Sequence, residues 1–169
     1  MNINKNDTAV VIIDPQNDVL NEKGVSWHLV SNSVKENKTV ENIEHIFKAA
    51  KQNGFEVFIS PHYYYPTDYG WNFAGTVERM MLESREFDVL QLRKRNISKV
   101  ILLGMLANIC VEAHLRDLIE QGFEVLIVKD ATAAPQHPDL GDGYKAALIN
   151  FGYLANAVLS TNEAVKAMA

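Results

Sequence analysis

"KVILLGMLANIC" (Lys99–Cys110) leads into "VEAHLRDLIEQG" (Val111–Gly122) and then "FEVLIVKD" (Phe123–Asp130). The two outer runs are short, continuous and apolar, the signature of strands buried on both faces. Between them Val111, Leu115, Leu118 and Ile119 recur at helical spacing, and Gly122 marks the helix end. The stretch therefore reads as strand, helix, strand, and strands joined by such a crossover lie parallel.

The same alternation extends outward. "TAVVIID" (Thr8–Asp14) is a β-branched run ended by the turn-rich "DPQND". A helical pattern from about Ser33 to Asn53 places Val40, Ile43, Phe47 and Ala50 on one face, with Gly54 as its C-cap. "FEVFIS" (Phe55–Ser60) is a second strand, Gly143 to Gly152 a further helix, and "LANAVLS" (Leu154–Ser160) a last strand. This order predicts one domain over residues 1–169: a three-layer α/β/α sandwich with a Rossmann-like, mostly parallel sheet and right-handed crossovers. Such sheets bind ligands beyond the carboxyl ends of their strands. Asp14, the segment leading to Cys110, and Asp130 all lie at strand ends. If the first strand neighbours the Lys99–Gly104 strand, Asp14 and Cys110 share one crevice.

Composition narrows the function. The 169 residues are 47% hydrophobic and 22% charged, with net charge −5. An acidic chain argues against nucleic-acid and anionic-membrane partners, both of which require a basic face. The single cysteine can form no internal disulfide, which fits a reducing compartment. "MNINKNDTAVVIID" lacks the layout of a signal peptide, and no apolar stretch approaches the ~20 residues that span a bilayer. A cytoplasmic protein acting on a small molecule is expected. Neither "DPQND" nor "HPDLGDGY" (His137–Tyr144) has phosphate-loop spacing, so no dissociable cofactor is expected.

Cys110 admits two readings. A free cysteine is often an apolar filler. At the first turn of a helix, however, unpaired N–H groups and the helix dipole favour a thiolate, lowering the thiol pKa from ~8.5. The same N–H groups can hold a developing oxyanion. Asp14 is likewise either a turn cap or a proton acceptor and donor.

"VVIIDPQND" (Val10–Asp18) and "GMLANICVEAHLRDLIEQGFEVLIVKDATAA" (Gly104–Ala134) together resemble the isochorismatase-like cysteine hydrolase family, which includes nicotinamidases. The resemblance implies a Cys–Asp–Lys triad in which Cys110 attacks a carbonyl or similar carbon and Asp14 moves protons. It also implies a cis peptide between Leu106 and Ala107 that turns the N–H groups of Ala107 and Cys110 toward the oxyanion, and a homo-oligomeric assembly. The reaction class is hydrolysis of a small amide or a related C–N or C–O bond.

One part of the pattern is missing. The family's lysine follows a third strand, yet no lysine lies between Lys51 and Lys94. "TVERMMLESREFDV" (Thr76–Val89) has no β-rich run either, so the edge strand and its lysine are absent together. Either the deletion is real, giving a weak or inactive enzyme or one that uses Arg79 or Arg85 as the cation, or this chain omits a lysine-bearing stretch near Glu83–Phe87. A chain without the lysine could also be a non-catalytic protein that keeps the pocket for binding or assembly.

"SPHYYYPTDYGW" (Ser60–Trp71) follows a strand end and is placed to line the pocket, with His62, Tyr63 and Trp71 as candidates beside Gln16. Nicotinamidases carry an Asp-x-His metal arrangement here; Ser60 and His62 stand in its place, so no metal is expected. Asp130 is expected to orient the cysteine loop rather than react.

Overall fold

The computed structural model describes residues 1–61 and 89–169. In chain order the elements are β1 (Thr8–Ile13), α1 (Asn17–Leu20), α2 (Trp27–Asn37), α3 (Thr39–Asn53), β2 (Glu56–Ser60) and α4 (Val89–Lys94). After these come β3 (Lys99–Met105), a π-helical turn (Ala107–Val111), α5 (Glu112–Glu120), β4 (Glu124–Ala133), β5 (Gln136–His137) and β6 (Gly141–Asp142). The chain closes with α6 (Gly143–Leu154), β7 (Ala157–Leu159) and α7 (Thr161–Met168). Five strands form a parallel sheet in the order β2-β1-β3-β4-β7, and β5 and β6 pair as a small antiparallel hairpin.

The apolar runs form the middle of the sheet because both faces of β1, β3 and β4 are covered. Val11, Ile13, Leu102 and Ile127 point to the side that carries the π turn, α5 and α6, where Leu115, Leu118 and Phe151 are buried. Val10, Ile12, Ile101 and Leu103 point to the other side, against Ile46, Ala49 and Ala50 of α3 and Ala164 and Met168 of α7. This is the expected three-layer α/β/α sandwich. Fully burying each Ile or Leu stabilises by roughly 1.5–3 kcal/mol, so the central strands hold the fold. A smaller cluster sits past the carboxyl ends of the strands. There Val30 and Val34 of α2 pack on Met105 and Ala133, flanked by Trp27 and Leu106.

Several local readings change. The single helix expected over Ser33–Asn53 is two helices, α2 and α3, divided at Lys38, which stands in a left-handed conformation with φ 52°. Tertiary hydrogen bonds settle that break. The Asn37 amide and Thr39 hydroxyl both donate to the Thr132 carbonyl, at 3.1 and 3.2 Å, and the Asn42 amide reaches the Asp130 carbonyl at 2.9 Å. Val40 and Phe47 are exposed, and Ile46 and Ala49 take the buried positions of α3. β4 runs three residues past Asp130, and its pairing with β3 shifts register between Leu102 and Gly104. The last helix, α7, begins with a capping box in which Ser160 and Glu163 satisfy each other's backbone N–H groups. Among the described residues β2 is an edge strand. The question of the missing third strand and its lysine falls on residues outside the described ones.

Candidate active site

The site is built where β1 and β3 end side by side. Ile13 pairs with Gly104 at the end of a parallel register that begins with Thr8 and Lys99. Gly104 has φ +119°, and a Cβ on it would collide with the backbone of Ile13. Only glycine permits this approach, which brings Asp14, the residue after β1, beside the turn that follows β3. Asp14 itself has φ 47°, an uncommon region that aspartate tolerates better than most residues. Its N–H donates to the Ser60 carbonyl of β2 at 2.8 Å, and its carbonyl accepts from the Gln16 N–H at 2.8 Å. The carboxylate is thereby fixed by backbone bonds on both sides.

Cys110 stands inside the π turn. The Leu106 carbonyl accepts from the N–H groups of Ile109 and Val111, each at 3.1 Å, and Glu112 then opens α5. Single π turns recur at functional sites because they redirect one side chain without ending the helix. The thiol is half-buried, and the Asp14 carboxylate is near enough to act on it. The backbone N–H groups of Leu106 and of Cys110 itself are directed at the sulfur.

Two expectations are corrected by this geometry. The cis peptide is Met105–Leu106, one bond before the expected Leu106–Ala107. None of Met105, Leu106 and Ala107 is a proline, so no residue type marks the position. The N–H groups that act on the sulfur are those of Leu106 and Cys110. The second correction concerns acidity. The thiol pKa is raised, chiefly by burial and then by the hydrogen bond and charge of Asp14; the Leu106 and Cys110 N–H groups pull it down but are outweighed. The helix-start argument fails because burial, and then the nearby carboxylate, outweigh the N–H groups.

Gln16 lies half-buried next to Asp14, and its carbonyl accepts the Val19 and Leu20 N–H groups at 3.1 and 2.9 Å, opening α1. Asp130 is tied to α7, its carboxylate accepting from the N–H and hydroxyl of Thr161 at 2.7 and 2.9 Å. His62, Tyr63, Trp71, Arg79 and Arg85 lie outside the described residues. Among the described residues, Asp14 carries the only charge acting on the thiol, and no three of His, Cys, Asp and Glu converge as metal ligands.

Three neighbours escaped the sequence reading. His114, one helical turn beyond Cys110, donates Nδ1–H to the Cys110 carbonyl at 2.7 Å; the i,i+4 spacing was the available signal. Tyr144 packs on the same core as Cys110 and donates to the Lys129 carbonyl at 2.8 Å. Burial and the charges of Asp130 and Asp142 push its phenol up to about 12, so it stays a donor. Asn108, in the π turn, buries a side-chain oxygen that has no hydrogen-bond partner among the described residues; nothing in the residue pattern announced this. A thiol, a carboxylate in contact with it and two convergent N–H groups can together perform nucleophilic attack, proton transfer and oxyanion binding.

Solved structures share this architecture. A cysteine hydrolase from Pseudomonas syringae pv. phaseolicola superposes with TM-score 0.79 at 20% identity, covering 99% of this chain and 95% of that one. An isochorismatase-like hydrolase from Alkaliphilus metalliredigens gives TM-score 0.66 at 17% identity, covering 98% of each. Nicotinamidase from Bacillus subtilis gives 0.58 at 19%, covering 90% of this chain and 98% of that one. No curated protein matches the sequence significantly. The family model described as the isochorismatase domain matches residues 8–163, and with that span nearly the whole chain is accounted for: it belongs to the isochorismatase family.

Proposed function

We propose that this chain is a cysteine hydrolase of a small amide or a related C–N or C–O bond, with Cys110 as nucleophile and Asp14 as general acid and base. The observation that carries the reading is the convergence of Asp14, just past the end of β1, with Cys110, in the turn after the neighbouring β3, two residues far apart in sequence. Family membership supports the reaction class.

The cycle starts from the protonated thiol, the form that burial and the Asp14 carboxylate favour. When a substrate carbonyl carbon meets Sγ, the S–C bond forms as the thiol proton passes to Asp14. The carbonyl oxygen takes up the negative charge and is held by the Leu106 and Cys110 N–H groups. Collapse of this intermediate breaks the C–N bond, and Asp14 returns its proton to the departing amine. A thioester on Cys110 remains. Water then attacks it with Asp14 again accepting a proton, the acid leaves, and the thiol is regenerated. Gln16, His62, Tyr63 and Trp71 are proposed to contact the substrate. The reacting entity is a small molecule in the cytoplasm, without nucleic acid, membrane or dissociable cofactor, and the enzyme works as a homo-oligomer.

A second reading, a pocket-bearing protein without catalysis, is favoured by one observation: no described cation faces the thiol. A panel of small carboxamides separates the two. The enzyme reading expects ammonia release by the unsubstituted chain, a transient acyl adduct on Cys110 by intact mass, and loss of both in Cys110→Ala. Binding without release, or release that survives Cys110→Ala, contradicts it.

A further inference from the structure

Asn108 lies two residues before Cys110 in the π turn, and its amide rests on the start of α6. A Cβ built on Gly143 would stand 2.8 Å from Asn108 Nδ2, 3.0 Å from its Cγ and 2.9 Å from the Pro135 carbonyl oxygen. Gly143 has no positive φ, so glycine is needed there for space alone. The amide occupies that space. The platform beneath it is firm. Asp142 caps α6 by accepting the Tyr144 and Lys145 N–H groups at 3.0 and 3.1 Å, and the Gly143 N–H donates to the Pro135 carbonyl at 3.1 Å.

The amide is poorly served by its own surroundings. Asn108 Oδ1 is buried and accepts no hydrogen bond among the described residues. A buried unsatisfied acceptor is costly, and such groups call for an explanation beyond stability. The shape of the side chain supplies one. It fills the gap between the bare Cα of Gly143 and the turn that carries the nucleophile. We propose that Asn108 is a positioning residue for Cys110: wedged against Gly143, it sets the height of the cysteine turn and so the contact between Cys110 and Asp14. This rests on the reading that Cys110 and Asp14 are the reacting pair.

The test titrates the single thiol by its alkylation rate against pH, with amide hydrolysis measured in parallel. Asn108→Ala removes the wedge, and Gly143→Ala displaces it from the other side. Each is expected to move the Cys110 midpoint down by about half a pH unit or more, because Asp14 holds it up. Each is expected to lower kcat about tenfold or more, with KM little changed. Asn108→Leu keeps the bulk and drops the unpartnered oxygen, so it is expected to retain the midpoint and most of kcat. Urea unfolding of each variant confirms that folded protein is compared. Unchanged midpoints in both Asn108→Ala and Gly143→Ala overturn the proposal. So does equal damage in Asn108→Leu and Asn108→Ala, since the amide's bonding rather than its bulk would then matter. The parent reading fails differently: there Asp14→Asn leaves the midpoint of the otherwise unsubstituted chain where it was.

Discussion

The two edges of the sheet are built by different means. At the amino edge the chain turns with residues suited to turning: Gly54 and Gly122 close α3 and α5 with φ 77° and 81°, and Asn96 precedes β3 with φ 59°. Asp7 ties that edge to β3, its carbonyl accepting the Ser98 and Lys99 N–H groups and its carboxylate meeting Lys99 Nζ at 2.8 Å. At the carboxyl edge three uncommon features fall on residues with chemical side chains or on their immediate supports. Asp14 has a positive φ, Gly104 is pressed against Ile13, and Cys110 sits in a π turn. Irregularity that costs free energy persists where the surrounding core over-determines it. Here the buried ends of β1 and β3 do so.

The sharpest way to break this contrast is to substitute one glycine at each edge. Gly104→Ala forces a Cβ into the Ile13 backbone, and a loss of at least ~3 kcal/mol, or failure to fold, is expected in urea unfolding. Asp14→Asn tests function at the same edge. Hydrolysis is expected to fall on the order of 10³-fold, while the unfolding midpoint stays nearly unchanged. Gly122→Ala is the amino-edge counterpart. Its added Cβ would find only Arg93 Nη2, at 3.7 Å, so only the conformational cost of ~1 kcal/mol is expected.

The smallest effect belongs to Asp7. Its carboxyl is held below the usual range, first by the Lys99 hydrogen bond. A carboxyl lowered in the folded state stabilises above its unfolded pKa, and that stabilisation is lost as pH falls through the folded value. The pair is partly exposed, with side chains 15% and 35% accessible, so solvent screens it. Asp7→Asn is expected to cost under ~1 kcal/mol at neutral pH. The gap from the unsubstituted chain should close in acid and shrink with added salt.

The same contrast explains what could be read in advance. Strands such as Val10–Ile13 and Val100–Leu103 are legible because burial on both faces demands an unbroken apolar run. Gly54 and Gly122 are legible because their backbone conformation excludes most other residues. The juxtaposition of Asp14 and Cys110 followed from strand ends and from the family's motif. The cis bond was displaced by one residue in the reading because Met105, Leu106 and Ala107 leave no mark of ω. The break at Lys38 was invisible because its cause, the Thr132 carbonyl on β4, is far away in sequence. The direction of the thiol shift was missed for a similar reason. Position along a helix is a local property, whereas burial and a carboxylate contact depend on the packed molecule.

Cys110 is the only cysteine, so a thiolate titration of the folded protein reports this site alone. The account predicts a midpoint above that of an ordinary cysteine, moving down when Asp14 is replaced by asparagine. A midpoint below the ordinary value, or one that stays put or rises in Asp14→Asn, would contradict the claim that sulfur and carboxylate share a proton at the carboxyl edge of the sheet.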